Sequence, residues 1–251
     1  DLDPNPTILR ELETFIEREV ENTESKHIKF LEKLVYHELF HIIDEAFKAI
    51  QWFYLEFLNE ENRIKYYEKV ADLIGVALKF VELFECGLKE EWIRLNGDLF
   101  REAIDVEGFD LKVRIDPECD LISFEEFMMI RTWILNARDN YKKANLDRKP
   151  IRVNIGKSGN NKFFEVRDEI PGGWPEGLIE EINIAFEEGE KDKNKPCPYE
   201  RGGARMVAYR ISQLYGKYET FQDDKEKYIK FIYPDVGSNE SLKPTEEELA
   251  A

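Results

Sequence analysis

The sequence predicts a long helical hairpin followed by a mixed α/β domain. A helical pattern runs from residue 7 to about residue 58 without a proline or glycine, which is long for a helix of a globular protein. Helical spacing resumes at residues 64–84, after a polar turn at residues 59–62. Beyond this point, short alternating and helical patterns follow one another. We therefore divide the chain into a helical domain of residues 7–86, an α/β domain of residues 87–234 and a polar tail of residues 235–251, which we expect to be disordered.

Both predicted helices of the hairpin carry wide apolar faces. In the first helix, apolar residues recur at steps of three and four, at Ile28, Leu31, Val35, Leu39, Ile42, Ala46, Ala49, Phe53 and Phe57. A lone hairpin would leave Phe53, Phe57, Phe80 and Phe84 exposed. Two helices cannot bury stripes of this width, so we predict a homodimer in which two hairpins form a four-helix bundle.

Alternating and helical patterns predict the elements of the α/β domain. Strands are expected at residues 110–115, 151–155, 162–167, 218–221 and 228–232, with a turn at residues 158–161. Helices are expected at residues 95–106, 124–144, 177–186 and 203–215. Residues 187–203 are polar and rich in lysine, proline and glycine, and we expect them to form a mobile loop.

Composition narrows the possible partners and the cellular location. A formal net charge of −17 argues against a nucleic-acid partner, because phosphate backbones require clustered lysine and arginine. No run of 18 apolar residues exists, so we expect no membrane segment in this chain. The three cysteines form no C-x-x-C motif. Few and unpaired cysteines favour a reduced compartment, and we predict that the protein is cytoplasmic.

His37 stands out as a candidate catalytic residue. Helical geometry places it almost opposite the centre of the apolar stripe, on a polar face, and Glu38 follows at once. An exposed imidazole can attack a phosphate while the neighbouring carboxylate orients it or takes its proton. Residues 37–41 also satisfy the H-E-x-x-H pattern of zinc hydrolases through His37, Glu38 and His41. A surface histidine without a role is the third interpretation.

The zinc interpretation lacks an evident third ligand. No histidine follows His41, so Glu61 or Glu68 on the next helix would have to complete the site. A catalytic zinc ion also requires a shaped cleft, whereas His37 is expected on the polar face of a bundle helix. We therefore favour phosphoryl transfer over zinc hydrolysis.

Three short motifs follow one another in the α/β domain. Residues 136–143 (Asn-Ala-Arg-Asp-Asn-Tyr-Lys-Lys) follow the pattern Asn-x-x-x-Asn-x-x-Lys. Residues 166–172 (Val-Arg-Asp-Glu-Ile-Pro-Gly) place an aspartate at the end of a predicted strand, and residues 202–211 begin with Gly-Gly before a predicted helix. Together with residues 36–39 (Tyr-His-Glu-Leu), these motifs resemble the phosphoacceptor box, N box, Asp box and second glycine box of sensor histidine kinases. The resemblance covers roughly residues 15–233.

This resemblance implies that the second domain is an α/β sandwich of the Bergerat type, the ATP-binding fold of histidine kinases. Asn140 would be the Mg²⁺ ligand, because an amide oxygen is a hard donor and lies on the same helix face as its neighbours in the motif. Asp168 would accept a hydrogen bond from the adenine amino group. Glycine backbones at the start of a helix would approach the phosphates. The implied ATP-binding residues are Asn136, Asn140, Lys143, Asp168, Gly172, Gly202 and Gly203.

The resemblance also implies a function in two-component signalling. His37, assisted by Glu38, would be phosphorylated by ATP and would pass the phosphoryl group to an aspartate in the receiver domain of a response regulator. Some positions depart from the family pattern, with Ile170, Glu200 and Ala204 where glycine is usual and Arg205 in place of an apolar residue. These departures keep a second interpretation open, namely a histidine phosphotransferase or adaptor with a degenerate ATP site.

Overall fold

The computed structural model describes residues 10, 14–18, 21, 35, 39, 41–50, 60–89, 91–104, 110–144, 150–170, 174–193, 203–223 and 225–235. For residues 60–63 and 142–144 it describes the backbone alone. The helices include two segments at residues 14–18 and 41–50, followed by α1 (Glu60–Leu88), α2 (Leu99–Glu102), α3 (Phe124–Ala144), α4 (Leu178–Lys191) and α5 (Gly203–Gln213). The strands are β1 (Ile93–Arg94), β2 (Asp110–Ile115), β3 (Leu121–Ile122), β4 (Pro150–Ser158), β5 (Asn161–Asp168), β6 (Lys217–Gln222) and β7 (Lys227–Pro234).

Helix α1 packs its aromatic face against the α/β domain of the same chain. It begins at Glu60, inside the predicted turn, and ends two residues beyond Cys86. Phe80 and Phe84 are buried, and their rings lie 6.1 and 5.8 Å from the ring of Phe124 in α3. The guanidinium of Arg131 lies over Phe80. These two phenylalanines are therefore covered within one chain by α3, and their burial does not require a second copy of the hairpin.

A second apolar face of α1 is open to solvent. Ile64, Tyr67, Ile74 and Leu78 are 51–69% exposed, and Ala71 is exposed between them. Their spacing of three and four residues places them on one stripe of the helix. We refer to these five residues as the α1 stripe. It lies away from Phe80 and Phe84, so burial of the aromatic face against α3 leaves the α1 stripe uncovered.

The α/β domain contains a five-stranded sheet with helices packed on one face. The strand order is β2-β4-β5-β7-β6, in which β2 and β4 are parallel and the other neighbours are antiparallel. Alternate residues of β4 and β5 are buried, as expected for a sheet with one covered face. The ring of Trp133 in α3 lies 5.4 Å from that of Phe231 in β7, which places α3 on this face.

The predicted helix at residues 95–106 is mostly absent, because local hydrogen bonds favour other structure. Ile93 pairs with Ile122 in the small antiparallel β1–β3 sheet. The side-chain oxygen of Asn96 accepts hydrogen bonds from the backbone N–H groups of Asp98 and Leu99, and among the described residues up to 104 the helix comprises Leu99–Glu102. The predicted helix at residues 124–144 and strand at residues 110–115 coincide with α3 and β2.

Polar contacts fix the start of α3 to its surroundings. Ser123 and Glu126 form a reciprocal capping box, in which each side chain accepts a hydrogen bond from the backbone N–H of the other, at 3.2 and 2.8 Å. Glu126 also accepts from the hydroxyl of Tyr233 at 3.0 Å and from buried Lys162 at 3.4 Å. These bonds tie the first turn of α3 to β5 and β7.

Helices α4 and α5 approach closely at Gly189. The predicted helix at residues 177–186 extends to Lys191, so the expected loop begins later than the sequence indicated. Gly189 is buried against α5, and the hydroxyl of Ser212 donates to the backbone carbonyl of Phe186 at 2.7 Å. Only a residue without a side chain allows this separation between the two helices.

We expect Gly189→Ala to destabilise the fold. A Cβ at this position would lie 2.4 Å from the carbonyl oxygen of Tyr209 and 3.0 Å from Cβ of Ser212. Because neither atom belongs to a flexible side-chain end, the helices must separate, at a cost of about 1–3 kcal/mol in the free energy of unfolding. Urea unfolding followed by circular dichroism measures this loss. Glu190→Ala, at the exposed neighbouring position, is the control and should change stability by less than about 0.5 kcal/mol. Equal stabilities would show that the contact relaxes freely.

Candidate nucleotide-binding site

A cavity of about 130 Å³ lies between α3, the sheet and the starts of α4 and α5. Apolar and aromatic side chains form most of its wall, with two amides and two carboxylates among them. Its lining consists of Trp133, Asn136, Ala137, Asp139, Asn140, Val166, Asp168, Trp174, Pro175, Leu178, Ala204 and Ile229. The cavity therefore brings together three residues that the sequence motifs had singled out, namely Asn136, Asn140 and Asp168.

Helix α3 supplies one wall of the cavity from a single face. Trp133, Asn136, Ala137 and Asn140 follow one another at steps of three, one and three residues, which keeps them on adjacent positions of one side. The amide nitrogen of Asn136 is buried and has no hydrogen-bond partner among the residues that the structure describes. A buried amide N–H without a partner costs free energy, so this group is suited to an acceptor on a ligand.

Gly203 allows the start of α5 to approach this wall. A Cβ there would lie 2.6 Å from Cγ2 of Thr132 and 4.0 Å from the amide nitrogen of Asn136. The absence of a side chain thus permits close contact between the two helices beside the cavity. Ala204, which the sequence analysis noted as a departure from the family pattern, lines the cavity itself.

Asp168 lies at the end of β5 and is only 4% exposed. Its carboxylate accepts a hydrogen bond from the backbone N–H of Ile170 at 3.1 Å and faces the ammonium of Lys227 at 3.7 Å. Burial raises the pKa of Asp168 to about 6, although the ammonium and the N–H act in the opposite direction. Asp168 is therefore a hydrogen-bond acceptor that loses its negative charge as the pH falls through about 6.

Tyr141 joins α3 to the strand end that carries Asp168. Its hydroxyl donates to the carbonyl of Pro150 at 3.1 Å and accepts from the backbone N–H of Glu169 at 2.8 Å. Burial raises the pKa of Tyr141 to about 12, so the hydroxyl stays protonated and retains both bonds. Ile170, at the position where the family usually has glycine, is buried.

Two tryptophans of the cavity wall, and a lysine that contacts the wall from behind, belong to none of the sequence motifs. Trp133 and Trp174 line the cavity, and each has a buried indole N–H without a partner among the described residues. Lys227 lies 5.5 Å from the ring centroid of Trp174. Tryptophan at helical spacing from Asn136 and Asn140 was a signal that could have identified Trp133. Lys227 carried no such signal, because only the pairing of β5 with β7 places it opposite Asp168.

Several predicted site residues lie outside the described residues. They include the catalytic candidates His37 and Glu38 and the glycines Gly172 and Gly202. Lys143 belongs to the last turn of α3, where only the backbone is described. The roles expected for these residues therefore stay predictions.

His41 is exposed and borders a small cavity of about 30 Å³ between the helical segment 41–50, α1 and α3. Its neighbours there include Glu45, Arg131 and Arg138. The positive charges of the two guanidinium groups would repel a metal cation at this place. Within the described ranges, no group of three or more histidine, cysteine, aspartate or glutamate residues could hold a metal.

Comparisons with known proteins find similarity in structure but not in sequence. No protein-family profile matches the chain, and no curated protein matches it. A bacterial phosphotransferase solved at 1.7 Å has a TM-score of 0.51 and 11% identity, over 83% of this chain and 98% of its own. The histidine kinase domain of the blue-light activated histidine kinase EL346 from Erythrobacter litoralis has a TM-score of 0.47 and 11% identity, over 90% and 95%.

The histidine kinase domain of the E. coli osmosensor EnvZ has a TM-score of 0.38 and 18% identity, over 57% of this chain and 88% of its own. Histidine kinase domains are thus among the structures that this chain resembles, as its motifs predicted. At identities this low, the similarity concerns the fold alone. Of the three structures described, the phosphotransferase has the TM-score that supports this similarity of fold.

In the part of the chain that the structure describes, no helix is both long and apolar enough to cross a bilayer.

We expect the stability of the protein to report the titration of Asp168. A carboxyl whose pKa is higher in the folded than in the unfolded protein binds protons more strongly when folded, so the fold gains stability as the pH falls through 6. The gain levels off below about pH 4, where the unfolded carboxyl is protonated too. Between pH 7 and pH 5, the wild type should gain about 1 kcal/mol relative to Asp168→Asn.

Urea unfolding of both proteins at pH 5, 6 and 7 measures this difference, and the isosteric variant removes the contribution of all other titrating groups. A relative loss of stability on acidification would show that the ion pair with Lys227, rather than burial, determines the pKa of Asp168.

Proposed function

We propose that this protein is a histidine kinase-like component of two-component signalling, whose α/β domain binds ATP with Mg²⁺. The observation that carries the proposal is the cavity in which Asn136, Asn140 and Asp168 meet. The side-chain oxygen of Asn140 would bind Mg²⁺, and the amide N–H of Asn136 would find an acceptor on the ligand. Asp168 would accept a hydrogen bond from the base, and Lys143 would balance the charge of the phosphates. The metal would neutralise charge on the phosphate oxygens.

The residues of the cavity fit such a ligand. An amide oxygen is a ligand type that Mg²⁺ accepts, and the unpartnered N–H of Asn136 requires an acceptor of the kind that phosphates and ribose supply. Trp133 and Trp174 line the cavity and would contact the base. At about 130 Å³, the enclosed volume is below the roughly 300 Å³ at which small-molecule pockets begin, so it would enclose the base, and the ribose and phosphates would extend out of it past Asn136 and Asn140 toward Gly203.

His37 would then accept the γ-phosphoryl group. A bond forms between an imidazole nitrogen and the γ-phosphorus while the bond to the bridging oxygen of ADP breaks, and Glu38 takes the imidazole proton. In the second step the nitrogen–phosphorus bond breaks as a carboxylate oxygen of the response-regulator aspartate binds the phosphorus, and Glu38 returns the proton to the imidazole. A receiver of this kind is a cytoplasmic partner, and we place this protein in the cytoplasm with it.

A second function, a histidine phosphotransferase or adaptor with a degenerate ATP site, is favoured by two specific observations. Ile170 is buried where the family pattern has glycine. Lys227 contacts Asp168, the acceptor that the base would use. In this second function, His37 would receive its phosphoryl group from one receiver and pass it to another, and the α/β domain would act as a scaffold.

Incubation with γ-labelled ATP and Mg²⁺ tests the proposal. We expect a label that is stable in base and labile in acid, as for a phosphorylated histidine. His37→Gln should abolish the label because the nucleophile is gone, and His41→Ala, at the neighbouring histidine, is the matched control and should keep most of it. Retention of the label in His37→Gln would refute the assignment. An unlabelled wild type that accepts phosphoryl groups from a phosphorylated receiver would identify the phosphotransferase instead.

We also propose that the protein is a homodimer and that the α1 stripe lies in the interface, as in a four-helix bundle. Large apolar side chains rarely form a continuous exposed stripe on a monomer. Light scattering should give twice the mass of the chain. Leu78→Glu should shift the equilibrium toward the monomer, because it places a charge in the apolar contact. Lys65→Glu, on the opposite side of α1, is the control and should remain dimeric. A wild-type chain that is monomeric at all concentrations would rule out the dimer.

A further inference from the structure

The carboxylate of Asp168 is held through one of its two oxygens. Oδ1 accepts a hydrogen bond from the backbone N–H of Ile170 at 3.1 Å, and the ammonium of Lys227 lies 3.7 Å from the same oxygen. Lys227 reaches this position because it is directly opposite Asp168 in the pairing of β5 with β7. Both contacts converge on Oδ1, and the second oxygen, Oδ2, is engaged by neither of them.

Lys227 lies behind the wall of the cavity. Its side chain is 3% exposed, and its ammonium lies 5.5 Å from the ring centroid of Trp174. Asp168 and Trp174 line the cavity, whereas Lys227 is not among the lining residues. Lys227 therefore contacts two residues of the wall and can influence a ligand only through them.

The buried carboxylate depends on these contacts for its charge and its orientation. The side chain of Asp168 is 6% exposed, and an ionised carboxylate at this depth is strongly unfavourable without a compensating charge. Without the ammonium, the carboxylate would bind a proton more readily, and a neutral carboxyl is a weaker acceptor than an ionised one. Rotation of the carboxylate about its last side-chain torsion, which is intrinsically broad, would also be less restricted.

We propose that Lys227 is a positioning residue for nucleotide recognition, which holds Oδ1 of Asp168 so that Oδ2 accepts from the amino group of the base. Lys227 acts through Asp168 and does not touch the ligand. The N–H of Ile170 is the second contact that holds Oδ1, and as a backbone group it is present although the family pattern has glycine there. This inference rests on the proposed binding of ATP and adds to it the residue that determines how strongly the amino group is recognised.

Calorimetric titration of the full chain with two nucleoside diphosphates, in the presence of Mg²⁺, tests the inference. ADP carries the 6-amino group, and purine riboside diphosphate lacks it but is otherwise the same. Diphosphates are used because no γ-phosphoryl group can leave them, and inorganic pyrophosphate is the probe without a base. At about pH 7.5 Asp168 is ionised, since its pKa is about 6. We expect the wild type to bind ADP at least about tenfold more tightly than purine riboside diphosphate.

Variants of Lys227 separate positioning from a purely structural role. Lys227→Met should reduce the preference for ADP to within about threefold, while the affinity for purine riboside diphosphate stays within about threefold of the wild type. Lys227→Arg keeps a positive charge and should retain the preference. Lys230→Met is the matched control, because Lys230 belongs to the same strand but lies over Phe163 on the other face of the sheet. It should retain the preference as well.

The outcomes distinguish this inference from the proposed function. A wild type that binds both diphosphates equally overturns the inference and leaves ATP binding intact. A tenfold preference that persists in Lys227→Met also overturns it. Equal weakening of all three ligands in Lys227→Met assigns Lys227 to the fold alone and overturns it too. If neither diphosphate binds at millimolar concentration, the proposed ATP binding fails and the inference fails with it. Should Lys227→Met not fold, Lys227→Gln, which also removes the charge, is judged by the same ratio.

Discussion

The anchoring of the first turn of α3 is the interaction on which the rest of the structure depends. Glu126 closes the capping box with Ser123 and accepts from Tyr233 and Lys162, so one carboxylate joins the helix to two strands. A neighbouring bidentate pair between Glu125 and Arg210 attaches the same turn to α5. Charge-assisted hydrogen bonds in a buried setting hold their partners in one geometry. The position of α3 then sets the cavity wall on one side and the contact with α1 on the other.

Helix α1 has two apolar faces, of which one is buried and the other is exposed. Its aromatic face is buried against Phe124, which continues the core of the α/β domain into the helical part. The α1 stripe remains exposed on another side of the same helix. The partner of the aromatic face is α3 of the same chain, which links the orientation of α1 to the helix that lines the cavity.

The buried pair of Asp168 and Lys227 gives the cavity its particular electrostatic character. Burying two charges costs free energy that their attraction offsets only in part, and apolar residues at the same positions would often be at least as stable. Stability alone therefore does not account for the pair. Asp168 lines a cavity that also contains buried donors without a partner among the described residues, and Trp174 lies beside the pair. The departure at Ile170 lies next to the same carboxylate, which accepts from its backbone N–H.

The sequence by itself predicted the type and order of most elements of the α/β domain, although not the short strands β1 and β3, and it singled out Asn136, Asn140 and Asp168, because helical and alternating patterns and short motifs are local. It predicted α3 and β2 at their observed limits. It failed at residues 95–106, where the Asn96 side chain competes for backbone N–H groups. Only the tertiary structure decided that Phe80 and Phe84 are buried within the chain, and that Lys227 lies opposite Asp168. Both facts arise from contacts between residues far apart in the chain, to which no local pattern responds.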